Sequence, residues 1–224
     1  MSAVAVFVKT IGLSPLKTRL AKSIGTESAE SFYRLSVEAI QKSLEEWVSS
    51  ELTRKRTVAP YWSVAEREGM EKWNSFSTVW QGEGDLGARL ENTYSQLYRH
   101  YGRVFFLGGD CPHFDPQVLT QAQNFLDENK GFILAPSSDG GFYLFGGNCE
   151  IPAEVWKSVP YSKSNTCGEL QKAIEGMGSI EILDENFDID EIEDLERLKK
   201  YLSHLRDEGG VPTHLFRLAE FLGL

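Results

Sequence analysis

The feature that most constrains this chain is a repeated alternation. Short apolar runs are each followed by a longer stretch whose apolar residues recur at helical spacing. Ala3-Val4-Ala5-Val6-Phe7-Val8 is uninterrupted by any polar residue, so it reads as a strand buried on both faces. Val104-Phe105-Phe106-Leu107 has the same character. Shorter runs stand at Thr57–Trp62, Thr78–Trp80, Phe132–Leu134, Phe142–Phe145 and Ile180–Leu183. Between them, Glu27–Trp47 carries Phe32, Leu35, Ala39, Ile40 and Leu44 at helical spacing, and Leu86–Tyr98 carries Leu86, Leu90, Tyr94 and Leu97. Further helices are expected from Pro116 to about Leu126, over Thr166–Ile174 and over Ile192–Leu205. Ser14-Pro15 predicts a helix start, with Ser as the cap and Pro at the first helical position. Pro60 predicts the end of its strand.

Such alternation predicts a three-layer α/β/α fold on a mainly parallel, Rossmann-like sheet. With 224 residues the chain suits one such domain, expected over residues 1–206. Glu208-Gly209-Gly210 marks a break before a C-terminal helical extension at 207–224. Net charge is −10, which argues against nucleic acid as a partner and against docking on an anionic membrane. An anionic small molecule stays possible, because a few cations can be focused in one cleft. The 3 cysteines, Cys111, Cys149 and Cys167, are far apart and predict reduced thiols rather than a disulfide or zinc framework. No apolar run approaches a membrane span, and Ala3–Val8 is too short for a signal-peptide core. A cytoplasmic protein is expected, and the sequence allows a homodimer.

In open α/β sheets ligands sit beyond the carboxyl ends of the strands, so the residues after each apolar run are the candidates for chemistry. After the first comes a loop containing Lys9 and Gly12, then Lys17-Thr18-Arg19-Leu20. A glycine loop leading to a helix start offers free N–H groups to an anion, and Lys9, Lys17 and Arg19 add cations suited to a pyrophosphate. The segment is neither a Walker loop nor GxGxxG, since Ile11 and Leu16 stand where glycines are required. After Leu107 comes Gly108-Gly109-Asp110, where Gly109 permits close approach and Asp110 can hold Mg²⁺ or Mn²⁺ against phosphate oxygens. Ser137-Ser138-Asp139-Gly140-Gly141 is a second polar, glycine-rich tip, which also suits a tight turn. The late acidic run Asp188-Ile189-Asp190-Glu191 caps the helix that follows and offers one further metal ligand. His100, His113, His204 and His214 show no ligand spacing, so a histidine-based triad has no support.

Four segments together give a resemblance. They are Phe7-Val8-Lys9 through Lys17-Thr18-Arg19-Leu20; Gln81-Gly82-Glu83-Gly84-Asp85-Leu86-Gly87-Ala88-Arg89-Leu90; Leu107-Gly108-Gly109-Asp110-Cys111-Pro112; and Ala135-Pro136-Ser137-Ser138-Asp139-Gly140-Gly141-Phe142-Tyr143-Leu144. From Val4 to about Leu202 the chain resembles a bacterial family of nucleotide-diphospho-sugar transferase-like proteins with the GT-A fold. Its Lys-Thr-Arg-Leu and Asp-Gly-Gly elements are also similar to those of 2-phospholactate guanylyltransferases, and Asp190–Leu195 is similar to a metal-binding element of sugar-nucleotide cytidylyltransferases. Leu13-Ser14 stand where the family pattern has Pro-Gly, and Glu191-Ile192 where the cytidylyltransferases have Thr-Pro.

The resemblance implies a metal-assisted, glycosyltransferase-like enzyme acting on a nucleotide-sugar and an acceptor. Nucleotidyl transfer from a triphosphate is the alternative, and a nucleotide-binding module without turnover is the third possibility. Lys9, Gly12, Lys17, Arg19, Gly109, Gly140 and Gly141 would surround the nucleotide, with Gln81, Gly82 and Asp85 near its base or ribose. Asp110 and Asp190 would hold Mg²⁺ or Mn²⁺. Asp139 would contact the acceptor or act as the general base, assisted by the charges of Lys17 and Arg19.

Overall fold

The structure, a computed structural model, describes residues 1–224. Its strands are β1 (Ser2–Val8), β2 (Val58–Val64), β3 (Ser77–Trp80), β4 (Val104–Gly108), β5 (Gly131–Pro136), β6 (Phe142–Gly147) and β7 (Ser179–Ile182). They form a 7-stranded sheet in the order β3-β2-β1-β4-β6-β5-β7. Only β6 runs against its neighbours β4 and β5. The link from β5 to β6 is the short turn Ser137–Gly141, which suits a hairpin and is too short for a parallel crossover.

The helices are α1 (Thr18–Ile24), α2 (Thr26–Thr53), α3 (Leu86–Tyr101), α4 (Gln117–Glu128), α5 (Ala153–Ser158), α6 (Thr166–Ala173), α7 (Ile192–Glu208) and α8 (Phe216–Phe221). They cover both faces of the sheet, giving the expected three layers. Period-two alternation along β1 sends Val4, Val6 and Val8 into one core with Ile40 and Leu44 of α2 and Leu119 of α4. It sends Ala3 and Ala5 into the other, with Leu90 and Tyr94 of α3 and Trp156 of α5. The small Ala side chains face the bulky aromatics, as interdigitated packing requires.

A third apolar cluster lies away from the sheet. There Leu215 and Leu218 pack on Phe32 and Leu35 of α2 and on Leu198 and Leu202 of α7. Leu218 is fully buried, which contributes roughly 1.5–3 kcal/mol. None of the helices is long and apolar enough to cross a membrane.

Two local expectations change. The helix expected at Ser14-Pro15 starts only at Thr18, because Lys17 takes the left-handed conformation (φ 44°, ψ 41°) and breaks the helical path there. Pro60 does not end its strand. β2 continues to Val64, and pairing with β3 begins only at Tyr61, so that flank of β2 is open at the residue that lacks an N–H. The chain runs from β1 outward to β2 and β3, then returns through α3 to β4 on the other side of β1. The reversal leaves a crevice at the carboxyl ends of β1 and β4, where open α/β sheets bind ligands.

Candidate active site

A cleft of about 640 Å³ fills that crevice. Lys9, Lys17 and Arg19 reach it from the segment after β1, Gly109 and Asp110 from the tip of β4, and Asp190 from the segment before α7. Two of these tips come together because a backbone bond ties them. Ile189 N–H donates to the Asp110 carbonyl at 3.0 Å. Gly109 passes so close to β1 that an added Cβ would lie 2.7 Å from the Phe7 carbonyl oxygen, so only glycine fits without a backbone shift.

Lys17 is the centre of the arrangement. Its ammonium lies 2.6 Å from Asp110 Oδ1 and 3.0 Å from Asp190 Oδ1, and donates to the Ile189 carbonyl at 2.5 Å. The Lys17 side chain is 3% exposed, while those of Asp110 and Asp190 are about half exposed. Burial pulls the lysine pKa down, but Asp110 and Asp190 outweigh it and hold the ammonium above its ordinary value. Lys17 takes this left-handed backbone immediately before α1, and its side chain lies in the crevice.

The other cations differ. Arg19 lines the same cleft with a side chain that is 68% exposed and 3.7 Å from Glu191. Lys9 is exposed at the mouth, while its backbone N–H and carbonyl are both bonded to the Tyr33 hydroxyl. Arg89, which the resemblance motif contained but spacing did not single out, also lines the cleft, with Nε donating to the Gly84 carbonyl at 3.1 Å. Its signal was available: Arg89 lies on the first turns of the helix that follows Gly84-Asp85.

Several expected residues lie elsewhere or act through the backbone. Gln81 reaches the cleft wall, yet its amide donates to the Ser63 carbonyl at 2.8 Å and joins the ends of β2 and β3. Asp85 caps α3 by accepting from Ala88 N–H at 3.0 Å. Gly82 and Gly12 both have positive φ and are absent from the cleft lining. Asp139 closes its own turn, accepting from Ser137 Oγ and, at 2.8 Å, from Gly141 N–H. Gly140 sits in that turn at φ 89°, against the Ser164 backbone. Asp139 and Gly141 line a second, smaller pocket that opens beside the cleft.

Asp188 was legible only as part of an acidic run. Burial, reinforced by the nearby charges of Asp110 and Asp139, raises its pKa to about 7. The floor of the crevice therefore sets the carboxyl groups of Asp110 and Asp190 around one ammonium, while Asp188 lines the smaller pocket beside it. A divalent ion fits this donor set. Asp110 and Asp190 each have a second oxygen and are half open to the cleft, and Mg²⁺ or Mn²⁺ commonly takes one or two carboxylates and completes its shell with water and phosphate oxygens.

A family model described as "Uncharacterized protein conserved in bacteria (DUF2064)" matches residues 51–163, half of the chain. No curated protein sequence matches. Among solved structures, the fold is similar to a protein of Desulfovibrio desulfuricans G20 provisionally described as a nucleotide-diphospho-sugar transferase, with TM-score 0.80 and 20% identity over 99% of this chain and 94% of that one. It is similar to 4-diphosphocytidyl-2C-methyl-D-erythritol synthase from Anaerococcus prevotii, with TM-score 0.52 and 10% identity over 90% of this chain and 96% of that one. Glucosyl-3-phosphoglycerate synthase from Mycobacterium tuberculosis, solved with Mn²⁺, UDP and phosphoglyceric acid, gives TM-score 0.51 and 10% identity over 95% of this chain and 80% of that one. These likenesses show the nucleotide-diphospho-sugar transferase fold.

Proposed function

The chain belongs to the DUF2064 family of bacterial proteins, and we propose that this member is a metal-assisted transferase that takes a glycosyl group from a nucleoside-diphosphate sugar. One observation carries the reading: Lys17 Nζ, Asp110 and Asp190 meet within 3.0 Å at the floor of the cleft. Two carboxylates outnumber the single ammonium. A diphosphate would be repelled by that floor unless a divalent cation lay between.

Asp110 and Asp190 would hold the metal, which supplies Lewis-acid neutralisation of phosphate oxygens. The rest is the work of this chain's side chains. Lys9, Arg19 and Arg89 line the cleft as cations for the outer phosphate oxygens, and the arginines can bind them in bidentate fashion. Lys17 stays charged because its carboxylates hold it so, and it adds a fixed positive charge beside the leaving diphosphate. The apolar Phe7, Val8 and Leu16 in the same lining lower the local dielectric and strengthen these interactions. The fold relative solved with Mn²⁺ and UDP is a glucosyl-3-phosphoglycerate synthase by its printed name, which supports this reading.

Nucleotidyl transfer is the second reading, favoured by the likeness to the diphosphocytidyl synthase. Both reactions build negative charge on a departing phosphate. A thermal-shift panel of UDP, GDP, CDP and ADP with their triphosphates, each with and without Mn²⁺, tests the shared premise. A ligand at a hundred times its dissociation constant adds about 2.7 kcal/mol. One nucleotide should raise Tm only when metal is present. No shift with any of them would overturn both readings. With a nucleotide in hand, release of nucleoside diphosphate supports glycosyl transfer and release of pyrophosphate the second reading.

A further inference from the structure

Beside the cleft lies a pocket of about 250 Å³. The two share Phe7, Leu86, Gly108 and Ser162 in their linings, so a molecule in one abuts a molecule in the other. We propose that this smaller pocket is the acceptor subsite, and that it takes an uncharged alcohol with a compact apolar body rather than a phosphorylated or carboxylated acceptor. The inference rests on the transferase reading for the role of the pocket, but the charge preference stands on the pocket's own walls.

Leu90, Phe106, Phe142 and Tyr161 form an apolar lining that rewards desolvation of a hydrocarbon surface. The polar edge is acidic. Asp139 and Asp188 both face the pocket, and Lys163 is the cation in its lining. Lys163 is exposed and screened by water, whereas Asp188 lies deeper. An acceptor bearing a phosphate would have to strip water from its charge against that apolar wall. A hydroxyl can donate to the carboxyl oxygens of Asp139 or Asp188 at that edge. The volume lies below the ~300–1,000 Å³ usual for drug-sized ligands, which sets the compactness.

In the transfer, the alcohol oxygen forms a bond to the anomeric carbon. The bond from that carbon to the diphosphate oxygen breaks, its electron pair leaves on the diphosphate, and the hydroxyl proton passes to water.

Saturation-transfer NMR on the full chain tests this with a matched pair of probes, cyclohexylmethanol and cyclohexylmethyl phosphate. The alcohol should bind at least tenfold more tightly than the ester. Phe142→Ala, which opens the apolar wall, should weaken the alcohol at least tenfold and leave nucleotide thermal shifts as in the parent, showing that the variant is folded. Equal or tighter binding of the phosphate ester, alcohol binding unchanged in Phe142→Ala, or no binding of either probe overturns the proposal. Failure of the nucleotide panel with the alcohol preference intact overturns the transferase reading instead, and leaves the pocket as an alcohol site.

Discussion

Two strand tips carry nearly the same residues and do different work. Gly108-Gly109-Asp110 ends β4, and Asp139-Gly140-Gly141 follows β5; each puts an aspartate beside paired glycines. At the first tip the Asp110 carboxylate meets Lys17, a residue distant in sequence, and its backbone carbonyl accepts from Ile189. At the second, the Asp139 carboxylate turns back on Ser137 and Gly141, its immediate neighbours. What separates them is the path of the chain. After β4 it leaves the sheet for α4, so Asp110 is free to meet partners from elsewhere. After β5 it must reverse at once into β6, and the aspartate is used to close that reversal. An Asp-Gly-Gly signature therefore indicates a tip, while the next element determines whether the carboxylate pairs with distant residues or closes its own turn.

The largest effect should come from the second tip. Gly140→Ala adds a Cβ that collides with the Ser164 carbonyl, at a residue held at φ 89°. A loss of about 4 kcal/mol is expected, read as a lower urea midpoint. A loss below about 1 kcal/mol would show that the turn is not rigid, and the contrast between the tips would weaken.

Next comes a pH effect at the first tip, where His113 braces the chain just beyond Asp110. It packs on Phe187 at 4.1 Å between ring centres, and neither ring nitrogen has a hydrogen-bond partner. Burial lowers its pKa from 6.5 to about 4; the proximity of Asn186 opposes the shift without making a hydrogen bond by geometry. The folded value is depressed, so the unfolded chain takes up the proton first as pH falls. The contribution is fully present above pH 6.5, is lost between about 6.5 and 4, and changes no further below. The window corresponds to about 3 kcal/mol. Urea unfolding of the parent and His113→Phe across that range should show the parent losing this extra stability; parallel curves would refute the brace.

Asp110→Asn should then cost about a hundredfold, or about 2.7 kcal/mol, in metal-dependent nucleotide affinity measured by calorimetry. The smallest effect is expected from Asp139→Ala. Loss of its two turn hydrogen bonds at an exposed site should cost about 1 kcal/mol, with metal dependence unchanged. If calorimetry shows metal dependence lost in Asp139→Ala and kept in Asp110→Asn, the comparison is the wrong way round.

The apolar runs, the helical periodicities and the glycine-bearing tips were enough to place most elements and to reach a mainly parallel three-layer fold. Those are local signals, set by side-chain alternation and by turn chemistry, and they survive without knowledge of partners. The cation cluster was legible as a set, since Lys9, Lys17 and Arg19 follow one strand. Their separate environments were not. Lys17 and Arg19 stand two positions apart, yet one is buried between carboxylates and the other is mostly in water.

That difference, the late start of α1, the place of Asp188 and the pocket shared by β6 and the segment before α6 were settled only in three dimensions. Each depends on groups far apart along the chain being brought within a few ångströms by the crossover from β3 to β4 and by the docking of the 186–190 segment on the β4 tip. Sequence spacing reports which residues share a helix face or a strand. It carries no record of which charge another strand will place opposite, and at such distances that neighbour decides whether an ion is paired, screened or available to a ligand.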